Sequence, residues 1–127
     1  MRKLRKNLLL YLSISLLLCS CGDTDSKKAR IELIEENETV LKFTVVNLLN
    51  STWTWNEAQN YIDQKGLKLT LQEVNKDKKI VSFMIDGILD NCSGIAYSEN
   101  GQEAHLCGGK TVDWVRLFDN WYFVNSI

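Results

Sequence analysis

The sequence predicts an α+β fold: an antiparallel sheet of about six strands with one or two helices packed on one face. Two observations predict it. Residues 52–66 have the apolar spacing and end signals of an amphipathic helix. From Leu67 onward, short apolar segments alternate with turns. The chain of 127 residues contains no proline, so these turns depend on Asn, Asp and Gly.

The helix is predicted from both of its ends. Thr54 is a candidate N-cap because Glu57 follows three residues later, which is the spacing of a capping box. Gly66 follows Lys65 at the position where a left-handed residue ends many helices. Between these ends, one apolar stripe is formed by Trp55, Ala58, Tyr61 and Ile62.

Residues 31–49 fit two patterns. Apolar residues alternate on both sides of the polar segment 35–39, and β-branched residues are frequent in 40–46, which together predict a hairpin. A second set of apolar residues has the i, i+4, i+7, i+8 spacing of a buried helix face. That set is Leu41, Val45, Leu48 and Leu49. We favour the strand for 40–46; if 38–49 is helical instead, two helices precede the sheet.

From Leu67 onward the sequence predicts strands joined by short turns. The strongest signal is Asn100-Gly101, a dipeptide typical of tight hairpin turns, between predicted strands 94–98 and 102–107. The other predicted strands are 67–71, 80–85, 112–118 and 121–124, with turns at 75–79 and at Asp119-Asn120.

The N-terminal segment has the organisation of a secretory signal. Four basic residues precede an apolar segment of eleven residues, 8–18, that only two serines interrupt. As a helix rising about 1.5 Å per residue, this segment would span roughly half of a bilayer core of about 30 Å. It is therefore too short for a stable transmembrane span and has the length of a signal peptide.

The segment Leu18-Cys19-Ser20-Cys21 resembles the lipobox of bacterial lipoproteins. The resemblance implies cleavage by signal peptidase II between Ser20 and Cys21, a diacylglycerol on the Cys21 sulfur and an acyl chain on its amino group; no other cofactor is expected. At about 0.8 kcal/mol per buried CH₂, two or more chains give stable anchoring. The alternatives are an uncleaved signal anchor and an ordinary signal peptide that leaves Cys21 as a thiol.

The chain is thus predicted to consist of a signal peptide at 1–20, a flexible polar tether at 21–30 and one α+β domain at 31–127. After cleavage, 107 residues remain, with eleven basic and sixteen acidic residues and a net charge of −5. Nucleic acid is a poor partner for such a chain, because phosphate binding needs clustered Lys and Arg. Gly22 stands where an inner-membrane lipoprotein has aspartate, which by the same resemblance favours the outer membrane.

Cys92 and Cys107 are predicted to form a disulfide, because they remain after the signal is removed and Cys21 is lipidated. A four-residue loop around Asn100-Gly101 would place the two cysteines opposite each other in a hairpin. The chain-entropy model gives such a bond about 3 kcal/mol. No metal site is predicted, since the chain offers one histidine, His105.

The candidates for catalysis are weak. Glu103, His105 and Cys107 would share one face of a strand, although we expect that face to be exposed and Cys107 to be oxidised. A catalytic pair of carboxylates could be drawn from Asp86, Asp90 and Asp113, but the sequence does not fix the distance between any two of them. The acidic patch near the tether fits no calcium loop and is interpreted as a solvated end. It consists of Glu32, Glu35, Glu36 and Glu38.

Aromatic residues supply the candidate partner surface, since exposed aromatic patches mark many interfaces. They are Trp53, Trp114, Trp121 and Tyr122, with Trp55 nearby; the alternative is that the tryptophans complete the core.

The sequence therefore predicts a lipid-anchored, non-enzymatic envelope protein that binds a protein or small ligand at the membrane surface, for example an immunity protein or inhibitor. The alternatives are an envelope hydrolase acting on cell-wall or lipid substrates, and a structural spacer. If 38–49 is helical, the order of elements and the closing segment VRLFDNWYFV resemble those of small lipoproteins with a nuclear transport factor 2-like cone.

Overall fold

The structure is a computed structural model that describes residues 22–88 and 91–127. In these residues three helices precede a five-stranded antiparallel sheet, which confirms the α+β class. None of the described helices has the length and apolar character needed to cross a bilayer. The helices are α1 (Gly22–Glu36), α2 (Glu38–Leu49) and α3 (Trp55–Gln64). The strands are β1 (Thr70–Asn75), β2 (Ile80–Ile88), β3 (Asn91–Ser98), β4 (Thr111–Phe118) and β5 (Trp121–Ser126).

The strand order is β1-β2-β3-β5-β4, and every neighbouring pair is antiparallel. β4 and β5 form the predicted last hairpin, which turns at Asp119 and Asn120. β5 lies beside β3, so β4 is placed at the edge and the chain must cross one face of the sheet between β3 and β4. That crossing segment, residues 99–110, is called the cover loop below.

The strand predicted at 40–46 is wrong, because this segment belongs to α2. Leu41, Val45 and Leu48 are at most 2% exposed, and Thr44 is buried with them. Burial at these positions follows the helical period, so packing against the sheet overrides the strand preference of the β-branched residues. The first half of the predicted hairpin, residues 31–36, is likewise helical and belongs to α1.

Residues 22–30 are helical where the sequence analysis expected a flexible tether. Lys27, Lys28, Ala29 and Arg30 are all good helix formers. Further along the helix, Ile34 is fully buried against α2 and the sheet, so the end of α1 is fixed by packing. Arg30 also contacts the sheet, as described below.

Helix α3 confirms the predicted end signals. The Thr54 hydroxyl accepts a hydrogen bond from the Glu57 amide, and the Glu57 carboxylate accepts one from the Thr54 amide. Gly66 has a φ of +75°, the left-handed conformation that follows many helices. On the buried side, the Gln59 side chain donates to the Leu69 carbonyl at 2.9 Å and accepts from the Leu71 amide at 2.8 Å. Gln59 therefore fastens the helix to the start of β1.

The two faces of the sheet carry separate cores. The helix face packs against α1, α2 and α3 and includes Phe83, Ile95 and Trp121, each at most 1% exposed. The loop face is covered by the cover loop, whose Ala104 and Leu106 are fully buried. All residues of both clusters lie between Leu33 and Val124. A chain that begins at Gly22 therefore retains the whole of this core.

The strand predicted at 102–107 is absent from the described sheet, which accounts for five strands where about six were expected. β3 is paired on both sides, with β2 and with β5, and offers no edge for residues 102–107. Side chains satisfy the backbone of the cover loop instead. Ser82, Ser98 and Thr111 donate to the carbonyls of His105, Gln102 and Ala104, and Ser126 accepts from the Leu106 amide.

A disulfide joins Cys92 and Cys107, as predicted. The two cysteines are not brought together by the predicted hairpin, because Cys107 is not on a strand. Cys92 lies on the loop face of β3, and the bond ties the far end of the cover loop to that strand. It therefore acts as a staple between the loop and the sheet.

Candidate functional site

The helix face of the sheet changes from apolar to polar near one end. Ile95, Phe123 and Val115 are register partners across β3, β5 and β4. One step further along the face, the register partners are Ser93, Asn125 and Asp113. A row of polar side chains on an otherwise apolar face is unusual for a core and is typical of the lining of a binding site.

Helix α1 completes this end of the sheet and forms a cavity of about 480 Å³ with it, which we call the Arg30 pocket. Three residues from adjacent turns of α1 contribute to its lining. The pocket is lined by Ser26, Lys27 and Arg30 from α1 and by Ser93, Asp113, Val115, Phe123 and Asn125 from the sheet.

Arg30 is the central charge of this pocket. Its guanidinium lies over the Phe123 ring, 4.1 Å from the ring centroid, and donates to the Ser93 hydroxyl and to the Ser26 carbonyl. Its Nε atom is buried and has no hydrogen-bond partner. Among the described side chains, the ion pairs are Lys42 with Glu38 and Lys79 with Glu99, and neither involves Arg30.

The electrostatics of Arg30 follow from this placement. Burial lowers the pKa of Arg30 from its ordinary value, because the charged form loses hydration. Arginine nevertheless remains protonated at neutral pH. The pocket therefore holds a partly desolvated positive charge with unused hydrogen-bonding capacity, and such a charge is stabilised by an anion.

The pocket also carries a negative charge at its rim. Asp113 is exposed, and its Oδ2 accepts a hydrogen bond from the Asn125 amide group at 3.0 Å. Lys27, on α1, is exposed as well. The arrangement suits a ligand that presents an anionic group to Arg30 and a hydrogen-bond donor or cation to Asp113.

The predicted Cys-His-Glu alternation does not arise, because its residues lie on the cover loop and not on a strand. Glu103 and His105 are exposed, and Cys107 is in the disulfide. The His105 Nδ1 atom lies 3.1 Å from the Thr111 hydroxyl oxygen. No group of three His, Cys, Asp or Glu side chains suited to a metal ion occurs in the described part of the chain.

Of the three aspartates considered for a carboxylate pair, only Asp113 lies in the pocket with a described side chain. The backbone of Asp86 is the register partner of Ser93 on β2. Asp90 lies outside the described residues, as do Ser20 and Cys21.

In the acidic patch, Glu32, Glu35 and Glu36 are exposed on α1, while Glu38 pairs with Lys42 at 2.8 Å.

The four aromatic residues predicted as one partner surface lie in three separate places. Trp121 is 1% exposed and belongs to the helix-face core, so its assignment to a surface is corrected. Trp53 packs with Phe43 and Tyr61, at centroid distances of 5.2 and 4.9 Å. Trp114 stacks on Tyr122 on the loop face, with 4.3 Å between the ring centroids. Trp55 is 44% exposed at the start of α3.

A second cavity, of about 330 Å³, lies between α2 and the turn that joins β1 to β2. Its lining is mainly apolar, with Val45, Val46, Leu49 and Tyr97, and its rim carries Lys42, Lys76 and Lys79. Glu38 raises the pKa of Lys42 through the hydrogen bond between them, and Lys79 pairs with Glu99. Two of its three lysines are thus paired with carboxylates, in contrast to Arg30.

The Arg30 pocket is not apparent from the sequence. Arg30 lies in the segment predicted as a tether, and no sequence pattern connects it to Ser93 or Phe123, which follow much later in the chain. One residue in the sequence indicates a polar end of the sheet: Asn125 follows the apolar segment 121–124 of the last strand.

Comparisons of the chain with protein-family models, with curated proteins and with solved structures found no match. The interpretation of the site therefore depends on its own chemistry.

Proposed function

We propose that this protein is a lipid-anchored, non-enzymatic protein of the bacterial cell envelope that binds a small ligand carrying an anionic group. The Arg30 pocket is the proposed binding site. The observation that carries the proposal is the Arg30 guanidinium, which lies over Phe123 with a buried Nε that has no hydrogen-bond partner.

The chemistry of the lining supports an anionic ligand. A guanidinium donates in a planar fork that matches a carboxylate or phosphate, and partial desolvation strengthens such bonds. Ser93 and Asn125 add neutral polar groups beside it, while Phe123 and Val115 form an apolar floor. A few polar groups above apolar residues are typical of small-molecule sites.

The proposed location follows from the N-terminal sequence. Cys21 would carry the diacylglycerol and N-acyl chain after cleavage behind Ser20, and Gly22 favours the outer membrane as destination. The net charge of −5 in the mature chain argues against nucleic acid as a partner. The helices that precede the sheet and the closing hairpin of β4 and β5 fit the proposed resemblance to nuclear transport factor 2-like lipoproteins, whereas the strand order β1-β2-β3-β5-β4 departs from the expected meander.

The hydrolase alternative has no comparable support. His105 lies exposed on the cover loop, and Asp113 shares the pocket with Arg30 and not with a second described carboxylate. The spacer alternative predicts no ligand and is tested by the titration below.

Binding is tested on residues 22–127, titrated with inorganic phosphate and with acetate and followed by amide NMR shifts. We expect saturable shifts at Ser93, Phe123 and Asn125. Arg30→Gln should weaken binding by about tenfold or more, since a hydrogen bond to a charged group contributes ~1.5–3 kcal/mol. Lys68→Gln removes an exposed charge elsewhere and is the matched control. No shift at the pocket at millimolar anion would refute the site.

The anchor is tested in the full chain by labelled-palmitate incorporation in a bacterial host. Cys21→Ala should abolish incorporation, whereas Cys19→Ala should leave it intact because the cleavage motif is retained. Undiminished labelling of Cys21→Ala would refute lipidation at this residue.

A further inference from the structure

Helix α1 begins one residue after the proposed anchor, Cys21, and leads to the pocket. It continues from Gly22 through Arg30. At a rise of about 1.5 Å per residue, Lys27 lies about 8 Å and Arg30 about 12 Å along the helix from Gly22. Any tilt of the helix relative to the membrane reduces the height of both residues above it.

The distance of Lys27 matches the thickness of the headgroup layer, and that of Arg30 exceeds it by a few ångströms unless the helix is tilted. A bilayer of about 40–45 Å with a hydrocarbon core of about 30 Å has roughly 5–8 Å of headgroups on each side. A diacylglycerol on Cys21 would hold that residue at the base of this layer. The side of the pocket lined by Ser26 and Lys27 is therefore placed beside phospholipid headgroups, and not at the end of a mobile tether.

The charges of the pocket match one kind of headgroup. Lys27 and Arg30 supply cations for a phosphodiester, and Asp113, across the pocket on β4, supplies an anion for an ammonium group. A headgroup with a phosphodiester and a primary ammonium satisfies both sides. A glycerol headgroup has no cation for Asp113, and a quaternary choline has no N–H to donate to it.

We propose that the Arg30 pocket binds the phosphoethanolamine headgroup of a phospholipid in the same membrane that holds Cys21. This inference rests on the proposed function, of which it names the ligand. Binding would dock the domain on the bilayer with α1 toward the surface, so that the anchor and the pocket act together as two linked attachments.

The source of the ligand is tested with residues 22–127, which lack the lipid and retain the described core. Vesicles of phosphatidylcholine are compared with vesicles in which half of the lipid is phosphatidylethanolamine or phosphatidylglycerol, and bound protein is measured by flotation. We expect phosphatidylethanolamine to raise binding about tenfold over phosphatidylcholine, the change for one charge-assisted contact. Phosphatidylglycerol should give no increase, because the mature chain is itself acidic.

Two variants test the contacts. Arg30→Gln should weaken binding to phosphatidylcholine and phosphatidylethanolamine vesicles alike, because both headgroups carry the phosphodiester. Asp113→Asn should remove the preference for phosphatidylethanolamine, because it keeps an oxygen to accept from Asn125 and removes only the charge proposed to bind the ammonium group. Asp77→Asn, on the exposed turn between β1 and β2, is the matched control and should bind as the wild type does. A preference that survives in Asp113→Asn would overturn the proposed headgroup.

Soluble probes separate this inference from the proposed function. Glycerophosphoethanolamine should shift the amides of Ser93 and Asn125 in the NMR titration at lower concentration than inorganic phosphate. If soluble probes bind but vesicles do not, the pocket is a ligand site and the membrane source is wrong. If phosphate binds and glycerophosphoethanolamine does not, the headgroup is wrong. If none of them binds, the proposed function is refuted as well.

Discussion

The two faces of the sheet are covered in different ways. On the helix face, twelve buried residues pack between the sheet and three helices whose backbones are already hydrogen-bonded internally. On the loop face, four buried strand residues pack against Ala104 and Leu106 of the cover loop, whose residues 101–105 have no regular secondary structure. The helices need only a few side-chain hydrogen bonds to the sheet, such as those of Gln59, because their own backbones are already paired. The irregular cover needs side-chain hydrogen bonds to its backbone and a covalent staple.

The largest expected effect lies on the helix face. Phe83 is fully buried there, and Phe83→Ala should lower the free energy of unfolding by about 3–5 kcal/mol through lost burial and the cavity left behind. Urea denaturation of residues 22–127 measures it. Phe43→Ala, at a side chain that is 50% exposed, is the matched control and should have a much smaller effect. Equal losses at the two positions would contradict the assignment of the core.

The next effect tests the staple on the loop face. The double variant Cys92→Ala and Cys107→Ala should lose about 3 kcal/mol, the chain-entropy value for a loop of this size. Hydrogen exchange should accelerate in the cover loop at Leu106 and Gly109, while α3 keeps its protection once the change in global stability is allowed for. Uniform acceleration over both faces would show that the disulfide does not act locally.

The smallest effect tests a single side-chain contact to the cover loop. Ser126 is 2% exposed, and its hydroxyl accepts from the Leu106 amide at 3.1 Å. Ser126→Ala leaves that buried amide without a partner and should lower the free energy of unfolding by about 1–3 kcal/mol. Thr52→Ala, at an exposed residue between α2 and α3, is the control. A loss no larger than the control's would mean that water replaces the hydroxyl.

The same contrast explains which parts of the fold could be predicted. Helix α3 and the hairpin of β4 and β5 were predicted because their signals are local: a capping box at Thr54, a glycine at 66 and a turn at Asp119-Asn120. The segments 31–49 and 102–107 were assigned wrongly because their conformation depends on distant partners. β5 pairs with the edge of β3 that residues 102–107 would need, and no local sequence pattern predicts this pairing of β3 with β5.

The candidate site escaped prediction for the same physical reason. Arg30 and Phe123 approach each other only after α1 docks on the far strands of the sheet, so their contact leaves no spacing to recognise in the sequence. The disulfide was predicted correctly from the two cysteines that remain outside the predicted signal and lipidation site, although the hairpin that was expected to align them does not form.

The hydrogen bonds of Gln59 also affect whether another polypeptide can pair with the edge of the sheet. β1 is an edge strand, and an exposed edge is a template on which a second polypeptide can add a strand. The Gln59 side chain already hydrogen-bonds the Leu71 amide and the Leu69 carbonyl, so these two backbone groups cannot pair with an added strand. The Gln59 side chain thus blocks the addition of a second polypeptide at the start of β1.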